Sequence, residues 1–293
     1  MKEFLGKKMV NRTIRIRASD TCNQNCTYCS EHDLSKIKFI TKANFQLFLD
    51  NLVLLFKEEK RKINLFIYGG EPLLNKDLWN FLIDCRESKY GDIIDGIEIH
   101  SNLNIKLEKW QITILKSMNV SMASSIHMEY KKNFDRIFKN FKLIKQNNIK
   151  LNEINLMLHN LKDYKEIIDI EKNNPDLSIC IVPTFQLIEK EYSKLKILLR
   201  KEMKQKTVPN HTGGINYIDI HKSFNPLNWI CNVPKDCFGI DSDGMVYWCH
   251  EDYMMKNPSG INFFKTINPY DFNKSIKCKY TKCNCEYHIY KEK

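Results

Sequence analysis

The sequence lacks any long hydrophobic run. Its longest aliphatic stretch is LVLLF at residues 52–56, far short of the roughly 20 apolar residues that a membrane-spanning helix needs. The amino-terminal stretch MKEFLGKKMVNRTIRIRASD also lacks the apolar segment of a signal peptide. We therefore expect a cytoplasmic protein with no membrane-spanning helix.

The patterns of nucleic-acid-binding proteins are missing as well. The sequence contains no RNP motif, helix-turn-helix or C2H2 finger, and no extended Lys/Arg block. The net charge is +11, from 46 Lys and Arg against 35 Asp and Glu, but the basic residues are interspersed with acidic ones. This pattern is typical of solvated helix faces, and an acidic partner or a phosphate-bearing substrate is the alternative. Nucleic acid binding is not favoured.

A regular alternation of short and long segments occupies most of the chain, and 43% of all residues are hydrophobic, enough for a large core. Short β-branched runs predict strands at residues 13–19, 63–69, 96–102, 120–127, 151–159 and 177–185. Amphipathic runs predict a helix capped by Thr41 and helices near residues 77–89, 106–118, 133–147, 162–173 and 189–206. Six βα units in series predict an α/β fold with a parallel sheet, a full or partial (β/α)6 barrel. Its site should lie at the carboxyl ends of the strands.

The alternation ends near TVPNHTGG at residues 207–214, where Pro, Asn and two Gly indicate a boundary. We predict a βα core over residues 1–206 and a small cysteine-rich region over residues 207–293. The second region is too small to bury a good core alone. We therefore expect a metal centre to stabilise it.

Three of the 11 cysteines follow the first predicted strand closely: Cys22, Cys26 and Cys29. In a cytoplasmic protein, such cysteines are expected to be thiols or metal ligands and not disulfides. Three thiolates without a fourth ligand at zinc-like spacing suit a metal centre that keeps one coordination position open. The alternative is a structural zinc site that includes His32.

Two motifs resemble those of the radical S-adenosylmethionine (SAM) enzymes. The cysteines fit C-x3-C-x-aromatic-C with Tyr28 as the aromatic residue, and YGGEPLL at residues 68–74 fits the GGEP motif after the second strand. The resemblance implies a partial (β/α)6 barrel with a 4Fe-4S cluster held by Cys22, Cys26 and Cys29, whose fourth iron binds SAM. It implies reductive cleavage of SAM to a 5'-deoxyadenosyl radical, which removes a hydrogen atom from the substrate. It also implies reduced flavodoxin or ferredoxin as the electron donor.

The resemblance assigns further residues to SAM. Gly69 and Gly70 would let the backbone approach the methionine portion closely, and Glu71, followed by Pro72, would sit beside the amino group. The carboxylate and ribose have as candidates the polar residues at the next two strand ends, Ser101, Asn102, Ser124 and Ser125. Strand alternation lets only one of the last two serines point inward.

Other candidates have two interpretations each. Arg136 would bind the SAM carboxylate or be a surface charge on a helix. Pro183 ends the sixth strand, and its turn would lie near the adenine or the substrate. His127 and His159 would be substrate contacts or polar caps of their strands.

A second group of cysteines lies beyond residue 230. Cys231, Gly244 and Cys249 fit C-x(9–15)-G-x4-C, and Asp243-Gly244 predicts a β-hairpin. This segment resembles the twitch or SPASM extension of radical SAM enzymes, which holds auxiliary 4Fe-4S clusters. The final cysteines depart from its C-x2-C spacing. We predict one auxiliary cluster, with a four-cysteine zinc site as the alternative; its ligands would be Cys231, Cys249, Cys283 and one of Cys278 or Cys285.

The remaining cysteines have ordinary interpretations beside functional ones. Cys237 would be a spare ligand, a thiol near the substrate or a packing residue. Cys180 would be a core residue, or a hydrogen-atom donor if it faces inward. Cys85 lies on the apolar face of a predicted helix and is expected in the core.

Three functions follow from these patterns. The preferred one is net oxidative modification of a ribosomal peptide or protein, as in most twitch and SPASM relatives. The second is dehydrogenation of a small-molecule alcohol or sugar, favoured because a first strand near residue 13 leaves no room for a leader-peptide recognition domain. The third, from another class, is a non-enzymatic zinc protein whose basic surface binds a partner.

Overall fold

The computed structural model describes residues 11–29, 37–59, 61–174, 176–177, 179–184, 187, 191, 193–194, 230–249, 252–253, 255–280 and 289–290. For residues 171, 183, 230, 232, 234, 289 and 290 only the backbone is described.

Six parallel strands lie side by side in the order in which the chain reaches them: β1 Arg12–Ser19, β2 Ile63–Gly69, β3 Ile94–Ser101, β4 Val120–His127, β5 Leu151–Leu158 and β6 Ile179–Pro183. This arrangement confirms the predicted α/β fold with a partial (β/α)6 barrel. The sheet is open, because β6 is an edge strand in the part of the chain that the structure describes.

Helices between the strands cover one face of the sheet: α1 Lys42–Phe56, α2 Asp77–Asp84, α3 Ser88–Gly91, α4 Lys109–Ser117, α5 Phe134–Gln146 and α6 Tyr164–Asn173. Thr41 caps α1 as predicted, because its Oγ1 accepts a hydrogen bond from the Asn44 N–H at 3.3 Å. The predicted helix at residues 77–89 is divided into α2 and α3. The helix predicted at residues 189–206 lies mostly outside the described residues.

Strand alternation separates a helix-facing core from the inner face of the barrel. Ile14, Ile16 and Ala18 of β1 are completely buried with their counterparts on the other strands. Side chains alternate between the two faces of a strand. The residues between them, including Arg15 and Arg17, therefore point to the inner face.

The carboxyl-terminal part of the chain adds to the same sheet. Its strands are β7 Ile230–Pro234, β8 Cys237–Ile240, β9 Val246–Tyr247, β10 Ser275–Lys277 and β11 Ile289–Tyr290. β8 pairs parallel with β1, and β9 pairs antiparallel with β8, so that the sheet has eight strands. β7 lies between β10 and β11 in a separate three-stranded sheet.

The predicted hairpin is present between β8 and β9. Gly244 has φ +83° in its turn and donates its N–H to the Asp241 carbonyl at 3.0 Å. A Cβ at this position would lie 2.5 Å from the ring of Phe264. The turn therefore requires glycine both for its backbone conformation and for space.

An aromatic cluster joins this hairpin region to the barrel helices. The Phe263 ring lies 5.5 Å from Phe48 of α1 and 5.7 Å from Phe238 of β8, measured between centroids. Phe272 packs against Phe238 and Phe263. The two predicted regions therefore share one core; the boundary expected near residue 207 lies outside the described residues.

Among the residues that the structure describes, no helix has the length and apolarity that a membrane crossing would require.

Candidate active site

A cavity of about 250 Å³ lies at the carboxyl ends of β1 to β5. Its walls come from the loop after β1, the turn after β2 and the polar ends of β3, β4 and β5. Cys22, Cys26 and Cys29 all line it, together with Gly69 and Gly70. The fold thus brings the two sequence motifs to one place, as the barrel topology predicted.

The cysteine loop presents its thiols to this cavity. Burial raises the pKa of Cys22 to about 11 and that of Cys26 to about 12. Within the described residues, no three His, Cys, Asp or Glu side chains are gathered at metal-binding distances. The three thiols therefore line the same cavity, but they are farther apart than the ligands of one bound metal ion would be. Cationic iron would favour their thiolate forms, so the donor set fits an iron-sulfur cluster chemically.

The two glycines after β2 allow the backbone to contact the cysteine loop closely. A Cβ on Gly69, which has φ +151°, would lie 2.2 Å from the Ser19 carbonyl oxygen, and one on Gly70 would lie 2.5 Å from that of Thr21. The Gly70 N–H donates to the Ser19 carbonyl and the Glu71 N–H to the Thr21 carbonyl, each at 2.8 Å. The glycines therefore fix the position of the cysteine loop in addition to lining the cavity.

Glu71 is completely buried and joins the turn after β2 to the end of β3. Its carboxylate accepts hydrogen bonds from the Ser101 hydroxyl at 2.8 Å, the Asn102 N–H at 2.8 Å and the Leu73 N–H at 3.1 Å. Burial raises the pKa of Glu71 to about 7, and the three donors act in the opposite direction. Glu71 is not among the residues that line the cavity. Its contact with SAM stays a prediction, as does that of Pro72, which begins the short 3-10 turn Pro72–Leu74.

Tyr28 belongs to a partly buried row of polar side chains at the ends of β4, β5 and β6. Its hydroxyl lies 2.8 Å from His127 Nδ1, and its ring stacks on His159 with 4.4 Å between centroids. His159 Nδ1 in turn lies 3.2 Å from the Thr184 hydroxyl. Burial lowers the pKa of His127 to about 4, so this histidine is neutral near pH 7. His127 itself lines the cavity.

The serines at the end of β4 face in opposite directions. Ser125 lines the cavity, together with Ser101 and Asn102 of the neighbouring strand end. Ser124 is paired in register with Ser101, and its buried hydroxyl has no partner among the described residues. Of the two serines, Ser125 is therefore the one placed for contact with a bound molecule.

Two other predicted residues, Arg136 and Cys180, are not among the described residues that line the cavity. Arg136 is exposed on α5, as expected for a surface charge. Cys180 is half-buried on β6 beside Asn155. Pro183 ends β6, and its side chain is not described.

Asp20 links the cavity to the β8–β9 hairpin. This residue lines the cavity, and its carboxylate lies 2.5 Å from Arg17 Nε. The Ser242 hydroxyl of the hairpin turn donates to the same carboxylate, and Arg17 also contacts the Tyr253 hydroxyl. The carboxyl-terminal part of the chain therefore helps to hold the cysteine loop.

The sequence predictions missed several lining residues: Asp20, Gln24, Tyr68, His100 and Met157. Tyr68 and His100 occupy inward positions near strand ends, and strand alternation was sufficient to find them. The contacts of Asp20 and Gln24 depend on the loop conformation, which no sequence pattern indicates.

The described cysteines of the second group lie at two different places. Cys237 pairs with Thr13 at the amino end of β1, whereas the cavity lies beyond its carboxyl end. The six residue steps from Thr13 to Ser19 extend over about 20 Å. This position does not support the interpretation of Cys237 as a thiol near the substrate. Cys85 is completely buried in the core, as predicted.

Cys231, Cys249 and Cys278 are connected through β7, β10 and Asp252. Cys231 pairs with Ile276 of β10, the strand that directly precedes Cys278. The backbone N–H of Asp252 donates to Cys249 Sγ at 3.4 Å, and its carboxylate accepts the Tyr280 hydroxyl at 2.7 Å. The segments after Cys249 and Cys278 therefore converge on one buried aspartate. Cys283, Cys285 and His32 lie outside the described residues.

Comparison with known sequences identifies partial relatives. The Radical SAM superfamily model matches residues 16–170, more than half of the chain. A probable GTP 3',8-cyclase of Methanocaldococcus jannaschii is 30% identical over 137 residues, 45% of this chain and 42% of the relative. The radical SAM cyclopropyl synthase TigE of Paramaledivibacter caminithermalis is 21% identical over 188 residues, 55% of this chain and 39% of the relative. The match thus spans about two fifths of the length of these curated relatives.

Solved structures share the fold. Native anSMEcpe with bound AdoMet has a TM-score of 0.62 at 17% identity, over 89% of this chain and 82% of that chain. Streptococcus suis SuiB bound to precursor peptide SuiA has a TM-score of 0.60 at 15% identity, over 90% of this chain and 65% of that chain. At these identities the likeness concerns the fold alone.

Proposed function

The chain belongs to the radical SAM superfamily, and on this premise we propose that it cleaves SAM reductively and abstracts a hydrogen atom from its substrate. The single observation that carries the proposal is the convergence of Cys22, Cys26 and Cys29 with Gly69 and Gly70 on one cavity. Three cysteine ligands leave one iron of a 4Fe-4S cluster open for SAM. A bound cluster supplies the electron for cleavage.

The residues of this chain hold and orient the cofactors. Cys22, Cys26 and Cys29 would ligate the cluster, and the backbone of Gly69 and Gly70 would lie against the methionine portion of SAM. Ser101, Asn102 and Ser125 offer hydrogen-bonding groups on the same wall. The Tyr28 hydroxyl contacts His127, which lines the cavity, and the Tyr28 ring stacks on His159. These contacts would hold the His127 side chain in place beside the bound cofactors.

The proposed substrate is a ribosomal peptide or protein, which undergoes a net oxidative modification. The shared fold with SuiB, which was solved with its precursor peptide, supports this substrate class. The anSMEcpe structures include one with AdoMet and the Cp18Cys peptide. A single auxiliary 4Fe-4S cluster, held by Cys231, Cys249, Cys283 and one of Cys278 or Cys285, would accept the electron from the substrate radical. The convergence of the segments after Cys249 and Cys278 on Asp252 supports the inclusion of these two cysteines.

A small-molecule substrate is the second candidate. The observation that favours it is the 30% identity to a probable GTP 3',8-cyclase, over 137 residues of the chain. Dehydrogenation of an alcohol or sugar belongs to this second class. Superfamily membership argues against the third hypothesis, a zinc protein without enzymatic activity.

The substrate class is tested by mass spectrometry after anaerobic reaction of the reduced, cluster-loaded protein with SAM and candidate substrates. The proposal predicts that a peptide loses two hydrogens while SAM yields 5'-deoxyadenosine. Loss of two hydrogens from a sugar or cyclitol, with the peptides unchanged, would establish the second candidate. Reduced flavodoxin or ferredoxin is the proposed electron donor, and comparison with dithionite as the reductant tests that choice.

A further inference from the structure

Two N–H groups point at the first thiol of the cysteine loop. Cys22 Sγ accepts hydrogen bonds from the backbone N–H of Gln24 at 3.4 Å and from Asn102 Nδ2 at 3.6 Å. Such distances are typical of N–H···S contacts, because sulfur is larger than oxygen. Asn102 comes from the end of β3, so that a second element of the barrel reaches the cysteine loop.

The side-chain amide of Asn102 is held in one orientation. Its Oδ1 accepts the backbone N–H of Asn104 at 2.8 Å, and its Nδ2 also donates to Asn23 Oδ1 at 2.8 Å. The backbone N–H of the same residue is held by Glu71. An amide has one donor end and one acceptor end. With the acceptor end bound to Asn104, the donor end must face Cys22.

Gln24 occupies a similar position beside the second thiol. The residue is 3% exposed and lines the cavity, with its Oε1 3.9 Å from Cys26 Sγ. Its Nε2 is buried and has no partner among the described residues. A thiol can donate to Oε1, whereas a cluster-bound thiolate only accepts. A 180° rotation of the Gln24 side-chain amide would exchange Oε1 and Nε2. Nε2 would then donate to the Cys26 thiolate, which gives this buried donor a partner.

We propose that Asn102 and Gln24 raise the reduction potential of the SAM-binding cluster by donating N–H···S hydrogen bonds to Cys22 and Cys26. Reduction adds negative charge to the cluster and its thiolates, and N–H donors stabilise that charge. Both residues are positioning residues for the cluster. The inference rests on the proposed function, which places the cluster on these cysteines.

The test is the midpoint potential of the cluster, measured without SAM by a redox titration followed by electron paramagnetic resonance. The SAM-binding cluster is identified as the one whose signal changes when SAM is added. Asn102→Leu and Gln24→Met remove the donors without adding charge. Asn140→Leu is the matched control, because Asn140 is 4% exposed and donates to the carbonyls of Leu103 and Ile105 in the same loop, away from the thiols.

We expect Asn102→Leu and Gln24→Met each to shift the potential to more negative values, the double variant to shift it further, and Asn140→Leu to leave it unchanged. If Asn102→Leu does not retain its cluster, Gln24→Met alone decides. If the cluster-loaded Asn102→Leu and Gln24→Met variants have the same midpoint potential as the wild-type protein, the inference is wrong and the proposed function still stands. An equal shift in Asn140→Leu would also overturn it, since loop packing would then be the cause. Wild-type protein without a SAM-responsive cluster would overturn the proposed function itself.

Discussion

Substitution of Gly70 by alanine tests how the cysteine loop is held. The added Cβ would lie 2.5 Å from the Thr21 carbonyl oxygen, 2.7 Å from the Thr21 carbonyl carbon and 3.0 Å from the Cys22 nitrogen. All three neighbours are backbone atoms, so no side chain can rotate to make room. The turn after β2 and the cysteine loop must separate by about 1 Å to restore an ordinary contact.

The expected cost follows from this displacement. Overpacking of a well-packed site costs about 1–3 kcal/mol. Separation also weakens the hydrogen bonds from the Gly70 and Glu71 N–H groups to the cysteine segment, each 2.8 Å long, and each is worth about 1 kcal/mol. We expect Gly70→Ala to lower the free energy of unfolding by about 2–5 kcal/mol. The variant should also bind less iron, because its cysteine loop is displaced.

Urea denaturation and iron analysis of the reconstituted protein measure both effects. Gly91→Ala is the matched control, because its Cβ would have no neighbour nearer than 3.4 Å and the residue ends α3. Its stability should change by less than about 1 kcal/mol. A Gly70→Ala protein with wild-type stability and iron content would refute the idea that this glycine sets the position of the loop.

Three further predictions concern buried polar groups. Ser101→Ala should cost about 1–2 kcal/mol in urea denaturation, because the completely buried Glu71 carboxylate loses one of its three donors. Arg12→Met should cost about 2–4 kcal/mol in the same assay, because the 1% exposed Arg12 side chain pairs with Glu59 at 2.8 Å. Burial lowers the pKa of His127 in the folded protein to about 4, whereas the same histidine in the unfolded chain takes up its proton near pH 6.5. Protonation therefore favours the unfolded chain, and stability should decrease as the pH falls below about 6.5. Between pH 6.5 and 5 this loss is about 1.5 kcal/mol, and His127→Asn should remove it.

Each of these predictions has a control and a contradicting result. Ser117→Ala removes a hydroxyl from an exposed helix position and should be nearly neutral; an equal loss in both serine variants contradicts the role of Ser101. Lys106→Met breaks an exposed pair with Glu108 at 2.9 Å and should change stability by less than about 1 kcal/mol. The His127 prediction is wrong if the wild type and His127→Asn lose equal stability over the same pH range.

The barrel could be predicted from the sequence because its signals are local. β-branched runs bounded by turns gave β2 and β4 at their observed bounds, Ile63–Gly69 and Val120–His127. Thr41 and the Asp243-Gly244 turn are equally local, and both were confirmed. Parallel topology then fixed which ends of the strands meet, and that brought both motifs to one cavity.

Features that depend on contacts between distant segments could not be predicted in this way. The parallel pairing of β8 with β1 joins residues more than 200 positions apart, and no local pattern indicates it. The hydrogen bonds that the Glu71 carboxylate accepts from Ser101 and Asn102 were not predicted for the same reason, because these donors belong to another strand end. The tight approach of Gly70 to Thr21 is likewise visible only in three dimensions.

The proposal that Cys22, Cys26 and Cys29 hold a cluster that cleaves SAM is tested by anaerobic purification followed by reaction with SAM and dithionite. We expect a brown protein with about eight iron atoms per chain if both clusters form, and release of 5'-deoxyadenosine. Replacing the three cysteines by alanine should abolish this release. A colourless, zinc-loaded protein that leaves SAM intact would contradict the proposal.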